Sequence, residues 1–184
     1  MRVALVVGHT EESQGAKNIN YNISEFEYNK KIVENLVKGF QNKDNIEIIP
    51  VYRKTYKSLP DDINILNPDF IISFHCNAFN KNVTGSEVLY YHSSELGKII
   101  SKVFLENIYP VLGLKYRGIK GKHSEDRGGY VLKETNAPMV ILEPFFIDND
   151  EDLSVALAHD NSLLIAYMCC IEHICKNIDE WGKV

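Results

Sequence analysis

The sequence predicts an α/β fold, a single domain built on a mainly parallel β-sheet with helices on both faces. Three observations predict it. Short, uninterrupted apolar runs recur along the chain, at Arg2–Val7, Ile46–Val51, Phe70–Phe74 and Met139–Leu142, and such runs suit strands buried on both faces, the usual condition of parallel strands. Segments of helical periodicity separate them, and alternation of strand with helix is the pattern of crossover connections. The length, 184 residues, suffices for one domain with a sizeable core and falls short of two.

Taken in order, the first run stops at Gly8, and the helix that follows presents Ile32, Val33, Leu36, Val37 and Phe40 on one face, with Gly39 weakening its end. Its start is marked by Ser24-Glu25-Phe26-Glu27, which has the Ser-x-x-Glu form of a capping box. A second helix is expected over Ser94 to Tyr109, stopped by Pro110. A third is expected from about Glu151 to Lys176, carrying Leu153, Ala156, Leu157, Leu164, Tyr167, Met168 and Ile171 at helical intervals. Between them, Lys115 to Gly129 is polar and contains glycine, which predicts a mobile surface loop near the site. Internal repeats, low-complexity tracts and linkers are absent.

Apolar residues make up 45% and charged residues 24% of the chain, the balance of an ordinary globular protein. The net charge of −5, with no long basic run, offers a nucleic acid no electrostatic footprint, so none is expected as a partner. No stretch approaches the roughly 20 apolar residues that cross a bilayer, so stable membrane insertion is not expected. Met1 runs straight into a strand-like segment without the pattern of a signal peptide, which predicts synthesis in the cytoplasm. The cysteines Cys76, Cys169, Cys170 and Cys175 have spacings that suit neither a zinc ribbon nor a disulfide framework. They are expected to be reduced and mostly buried.

In open parallel sheets, ligands bind outside the carboxyl ends of the strands, so polar groups at those ends are functional candidates. His9 follows Val6-Val7-Gly8, His75 closes Ile71-Ile72-Ser73-Phe74, and Glu143 closes Met139-Val140-Ile141-Leu142. Two imidazoles and a carboxylate at equivalent strand ends converge in space although they are scattered in sequence, which is how a mononuclear metal site is built. A catalytic zinc takes three protein ligands and leaves one position for water, so a further group is sought in Ser24–Glu27. The capping box gives Glu27 a structural role and leaves Glu25, at the first helical position, free to bind metal. The alternative pairing has Glu27 as ligand and Glu25 solvated.

Each candidate also has a plainer reading. His9 or His75 alone is as readily a buried, hydrogen-bonded histidine, and Glu25 alone is a favourable charge at a helix N-terminus. Glu143 is harder to read so, because a carboxylate ending a buried run and followed by Pro144-Phe145-Phe146 is costly unless paired or functional. His92, His123, His159 and His173 have no comparable setting and read as solvated or structural. His123, on the polar loop, is still available to contact substrate.

Val7-Gly8-His9, the Glu25 segment, Ser73-Phe74-His75-Cys76-Asn77-Ala78, Gly85-Ser86-Glu87-Val88-Leu89-Tyr90-Tyr91 and Pro138-Met139-Val140-Ile141-Leu142-Glu143-Pro144-Phe145-Phe146-Ile147-Asp148-Asn149 follow one another along nearly the whole chain. In content and order they resemble the motifs of zinc-dependent N-acetylmuramoyl-L-alanine amidases, above all the catalytic domains of phage endolysins that attack clostridial-type walls. Arg117-Gly118-Ile119-Lys120 followed by Tyr130-Val131-Leu132 is similar to that family's substrate-side loop and strand. The resemblance implies a twisted, mostly parallel six-stranded sheet and one zinc ion held by His9, Glu25 and His75. It implies that Glu143 is the catalytic carboxylate, accepting a proton from water and returning it to the leaving amine. The substrate it implies is peptidoglycan, cut at the amide between the muramic acid lactyl group and the first L-alanine of the stem peptide. The absence of a signal-peptide pattern favours a phage or prophage lysis enzyme that acts on the wall after release, and residues 1–184 are expected to form one catalytic domain with no separate wall-binding domain.

The chain departs from the family in having Thr10 where a second glycine often follows the first histidine. It also lacks, around Leu59 to Leu66, the Arg and the Ala-Asn pair that many members carry. The residue pattern by itself serves a peptidase or a deacetylase equally well, and the choice of amide rests on the family likeness.

Overall fold

The computed structural model describes residues 1–182. In chain order the elements are β1 (Arg2–Val7), β2 (Lys17–Asn18), β3 (Ile23–Ser24), α1 (Glu25–Phe40), β4 (Glu47–Tyr52), α2 (Leu59–Asn64), β5 (Phe70–Phe74), β6 (Ser86–Tyr91), α3 (Glu95–Leu112), β7 (Tyr116–Lys122), α4 (Gly129–Glu134), β8 (Met139–Glu143), α5 (Asp150–Ala158) and α6 (Asp160–Trp181). Six strands form one sheet in the order β4-β1-β5-β8-β6-β7, while β2 and β3 make a small antiparallel pair. The pairings β1 with β4, β1 with β5, β5 with β8 and β6 with β7 are parallel, and β6 with β8 is antiparallel. The α/β fold with a mostly parallel six-stranded sheet is therefore as expected.

Alternation along each strand divides the core into two layers. Val3, Leu5, Val7, Phe70, Ile72, Phe74, Val140 and Leu142 point to one face, where α1, α3, α5 and α6 cover them with Ile32, Leu36, Phe104, Ile108, Leu153, Tyr167 and Ile171. Burying a large apolar side chain of this kind stabilises the fold by about 1.5–3 kcal/mol. Ala4, Val6, Ile71, Leu89, Met139 and Ile141 point to the other face, where the cover consists of Leu59 and Ile63 of α2 and Val131 and Leu132 of α4. Two six-residue helices cannot roof a six-stranded sheet. A groove of about 600 Å³ remains open over this second face.

Several local expectations are corrected. Pro110 does not stop its helix: α3 runs through it to Leu112 and closes at Gly113, whose left-handed φ of 62° lets its N–H reach Tyr109 O at 2.8 Å. Glu106, Tyr109 and Pro110 lie on the exposed side of the helix, where water can serve the carbonyl that a proline leaves unbonded. The last helix is two, α5 and α6, bent by 73° at His159. The residues after the bend, Asp160-Asn161-Ser162, compete with helical backbone bonding and favour helix starts. Lys115–Gly129 is not a continuous loop, because Tyr116–Lys122 pairs with β6 as an edge strand. Its lysines and arginine are the charges by which edge strands avoid further pairing. Tyr130-Val131-Leu132 belongs to a helix, α4, rather than to a strand.

All four cysteines are free, with Cys76 and Cys170 buried, Cys175 half-buried and Cys169 exposed. No single helix among the described residues is long and apolar enough to cross a membrane. The stretch lacking the Arg and Ala-Asn pair folds as α2, which buries Leu59 and Ile63.

Candidate metal centre

The chain leaves β1 for β4 on one side and returns to β5 on the other, which makes the carboxyl ends of β1 and β5 a switch point where a crevice must open. His9 and His75 stand at those ends. Between their connections lies the N-terminus of α1, which brings Glu25 to the same place. The ligand atoms of His9, Glu25 and His75 lie within 4.8 Å of one another. His75 Nδ1 is 2.8 Å from Glu25 Oε1, and His9 Nε2 is 3.0 Å from Glu25 Oε2.

Backbone groups fix the carboxylate before any ligand arrives. Cys76 N–H donates to Oε1 at 3.1 Å and Ala16 N–H to Oε2 at 3.3 Å, an outer shell of the kind that orients metal ligands. Two glycines make the convergence possible. A Cβ on Gly8 would lie 2.5 Å from Phe74 O and 2.7 Å from His75 Cε1, and one on Gly15 would lie 2.6 Å from both Glu25 Oε2 and His9 Cδ2. Gly15 also has a φ of 76°. His9 itself sits at φ 69°, a left-handed conformation uncommon outside glycine and one that active-site turns often hold.

The electrostatics agree with a cation site. Glu25 is 1% exposed, and burial alone pushes its carboxyl up, but the hydrogen bond with His75 and the closeness of both imidazoles outweigh it and hold the carboxyl well below its usual range. His9 Nε2, though close to Glu25 Oε2, has no hydrogen-bond alignment with it and is a buried nitrogen without a partner. Two imidazoles and an ionised carboxylate, one nitrogen of them orphaned, fit the donor set and number of a catalytic zinc, whose fourth position stays open. Glu27, by contrast, is exposed and closes the capping box: its Oε2 accepts from Ser24 N–H at 2.9 Å, while its own N–H donates to Ser24 Oγ at 3.2 Å. The arrangement with Glu25 inward and Glu27 capping is the one present.

Glu143 ends β8 on the thinly covered face and lines the groove together with His9 and His75. It is 8% exposed, and its Oε2 has no hydrogen-bond partner. Burial first, and then the charge of Glu25, push its carboxyl well above the ordinary range against the opposing pull of Arg127 and Lys122. The site thus joins a low-pKa carboxylate among imidazoles to a high-pKa carboxylate with a free oxygen. That separation of two acids by environment is the mark of divided chemical roles.

The sequence model of the family described as N-acetylmuramoyl-L-alanine amidase matches residues 3–170. The chain belongs to this family. Among curated relatives, N-acetylmuramoyl-L-alanine amidase LytC of Bacillus subtilis is 28% identical over 155 residues, covering 80% of this chain and 29% of that protein. An uncharacterized cell wall amidase of Bacillus anthracis is 29% identical over 92 residues, 46% of this chain and 16% of that protein. The chain therefore spans less than a third of the length of either. Among solved structures, an N-acetylmuramoyl-L-alanine amidase from Clostridium difficile 630 shares the fold with a TM-score of 0.84 at 19% identity, covering 95% of this chain and 96% of that one. The catalytic domain of an endolysin targeting Clostridia Difficile has a TM-score of 0.75 at 26% identity, over 92% and 97%.

In this amidase-family chain, three more residues stand at the site than the residue pattern singled out. Glu87 lies opposite Glu143 in the antiparallel β6–β8 pair, where like charges repel. It is occupied from the other side, accepting from Asn77 Nδ2 at 2.7 Å and from Arg117 Nε at 2.9 Å. A bulge between Ser86 and Glu87 sets Arg117 out of register and turns it onto Glu87, its guanidinium 5.0 Å from the Phe146 ring centre. The inward parity of Glu87 in an otherwise apolar strand was the available signal. His123 does not line the groove, although Ser124 to Gly128 do; its ring stacks on His92 with centroids 4.0 Å apart. His159 sits at the α5–α6 bend, and exposed His173 packs near Trp181.

The capping role of Glu27 is open to a direct measurement. Glu27→Gln is expected to lower stability by at most about 1 kcal/mol and to leave metal affinity unchanged. Denaturant unfolding alongside a metal titration checks both.

Proposed function

We propose that the protein is a zinc-dependent N-acetylmuramoyl-L-alanine amidase, hydrolysing the amide between the muramic acid lactyl group and the first L-alanine of the peptidoglycan stem peptide. The observation that carries this reading is the meeting of His9, Glu25 and His75 beside the unpartnered Glu143, in a chain of this family. His9, Glu25 and His75 would hold the ion. Zinc, when bound, supplies a Lewis acid for the scissile carbonyl and makes water acidic enough to be deprotonated near neutral pH.

The chain's own groups do the rest. Glu143 Oε2, with no competing donor, accepts the proton of the attacking water. Its raised pKa makes it a stronger base than an ordinary carboxylate and lets it give the same proton to the leaving alanine amine. Cys76 takes no part as a ligand: burial pushes its thiol well up, and its sulfur rests against Asn29 at 3.7 Å. The likeness to an endolysin catalytic domain supports a role in phage or prophage lysis, with the enzyme made in the cytoplasm and reaching the wall after release.

Metal content tests the cofactor. Protein purified in metal-replete buffer is expected to carry one zinc per chain by elemental analysis, to lose wall-lytic activity on chelation, and to recover it with added zinc. Activity that persists after the metal has been stripped would refute zinc dependence.

A further inference from the structure

The groove that begins at the metal centre continues across the second face of the sheet and is bounded by Arg53 after β4, Lys122 at the end of β7 and Arg127 before α4. These three cations come from separate parts of the chain, and among the described residues none of them enters an ion pair. Four carboxylates border the same groove, and three of them accept hydrogen bonds from within the chain. Glu87 is held by Asn77 and Arg117, Asp126 accepts from His123 N–H at 2.8 Å, and Glu125 accepts from Ser124 Oγ at 3.0 Å. Glu143 Oε2 accepts no hydrogen bond, and the proposed chemistry uses it. Arg53 is also constrained: its Nε is buried without a partner, and its guanidinium lies 5.9 Å from the Tyr56 ring centre. Three cations from separate segments thus border one groove without an ion pair, half-buried Arg53 with a donor unmet, and a ligand carboxylate entering the groove would satisfy that donor.

We infer that Arg53, Lys122 and Arg127 form a subsite for free carboxylates of the stem peptide, so that the enzyme selects anionic over amidated peptides. The inference rests on the amidase reading for the identity of the ligand. It also fixes a direction: the peptide runs from the metal centre across the second face beneath Ser124–Gly128, and the wider glycan stays outside the groove. The alanine amide lies at the metal, and the carboxyl groups of the following residue meet the cations.

The test uses two pairs of synthetic compounds that differ only in whether the carboxyl groups of the second residue are free or amidated. One pair consists of muramoyl dipeptides, which report turnover. The other consists of the dipeptides alone, which are products and report binding by calorimetry. The parent protein, loaded with zinc, is expected to favour the free acid about tenfold or more in both kcat/KM and affinity, through KM rather than kcat, and the preference should shrink as salt is raised. Arg53→Gln, Lys122→Gln and Arg127→Gln should each lower the ratio and together bring it close to one. A variant that merely folds less well lowers both members of a pair alike and leaves the ratio intact. A parent ratio near one, or a ratio that survives the triple substitution, overturns the subsite. A binding preference without cleavage of either muramoyl compound would uphold the subsite and refute the amidase reading.

Discussion

Glu143→Gln is expected to lower turnover by about 10²–10⁴ while leaving one zinc bound and the fold intact. The substitution keeps the size of the side chain and its capacity for hydrogen bonding, and removes only the proton acceptor. Glu143 is not among the three groups that converge on the metal position, so metal content should not change. Stability should not fall either, because the native carboxyl is buried with one oxygen unpartnered and an amide carries no charge to desolvate. If Glu143 served only to hold the end of β8, the outcome would be the reverse: altered melting, with activity retained in the folded fraction. Wall-lysis rates, thermal melting and metal content, measured on the same preparation, separate the two.

Glu25→Gln has the second large effect, on the metal itself. Glu25 presents one oxygen toward each imidazole, 2.8 Å from His75 Nδ1 and 3.0 Å from His9 Nε2, and is the only ionised ligand of the set. Partners outside the ligand shell account for about 10–100-fold in metal affinity, so loss of a charged ligand should weaken zinc binding by more than about 100-fold and abolish activity at ordinary zinc levels. A competition titration against a chromogenic chelator reads this directly. The control is Glu27→Gln, two residues along the same helix turn. If that substitution lost the metal and Glu25→Gln kept it, the assignment of ligand and cap would be reversed.

The contrast between these two glutamates shows how far residue order alone reached. Ser24 and Glu27 form a capping box by local geometry, and local geometry is what a short motif encodes. Once Glu27 was assigned, Glu25 was left to face the sheet. The strand ends carrying His9, His75 and Glu143 were legible for the same reason, since uninterrupted apolar runs ending in a polar residue mark buried strands with something to present. What was not legible depends on partners distant in sequence. The polar stretch around Arg117 reads as a loop until β6 is known to lie beside it, because an edge strand and a loop share a charged composition. Pro110 ends a helix in isolation but is tolerated where its side of the helix faces water. Glu87, Asn77 and Arg117 become a network only through the bulge at Ser86/Glu87, and the open groove exists only because α2 and α4 are too short to cover the second face.

Mass spectrometry of the products from purified peptidoglycan, digested with the zinc-loaded protein, tests the central claim most directly. Amidase action predicts glycan strands whose muramic acid lactyl groups end in free carboxyls, together with intact stem peptides beginning in a free L-alanine amine. Each cut adds one water across that bond. Fragments cut within the stem peptide or at the acetyl groups, with the lactyl–alanine amide still joined, would contradict it.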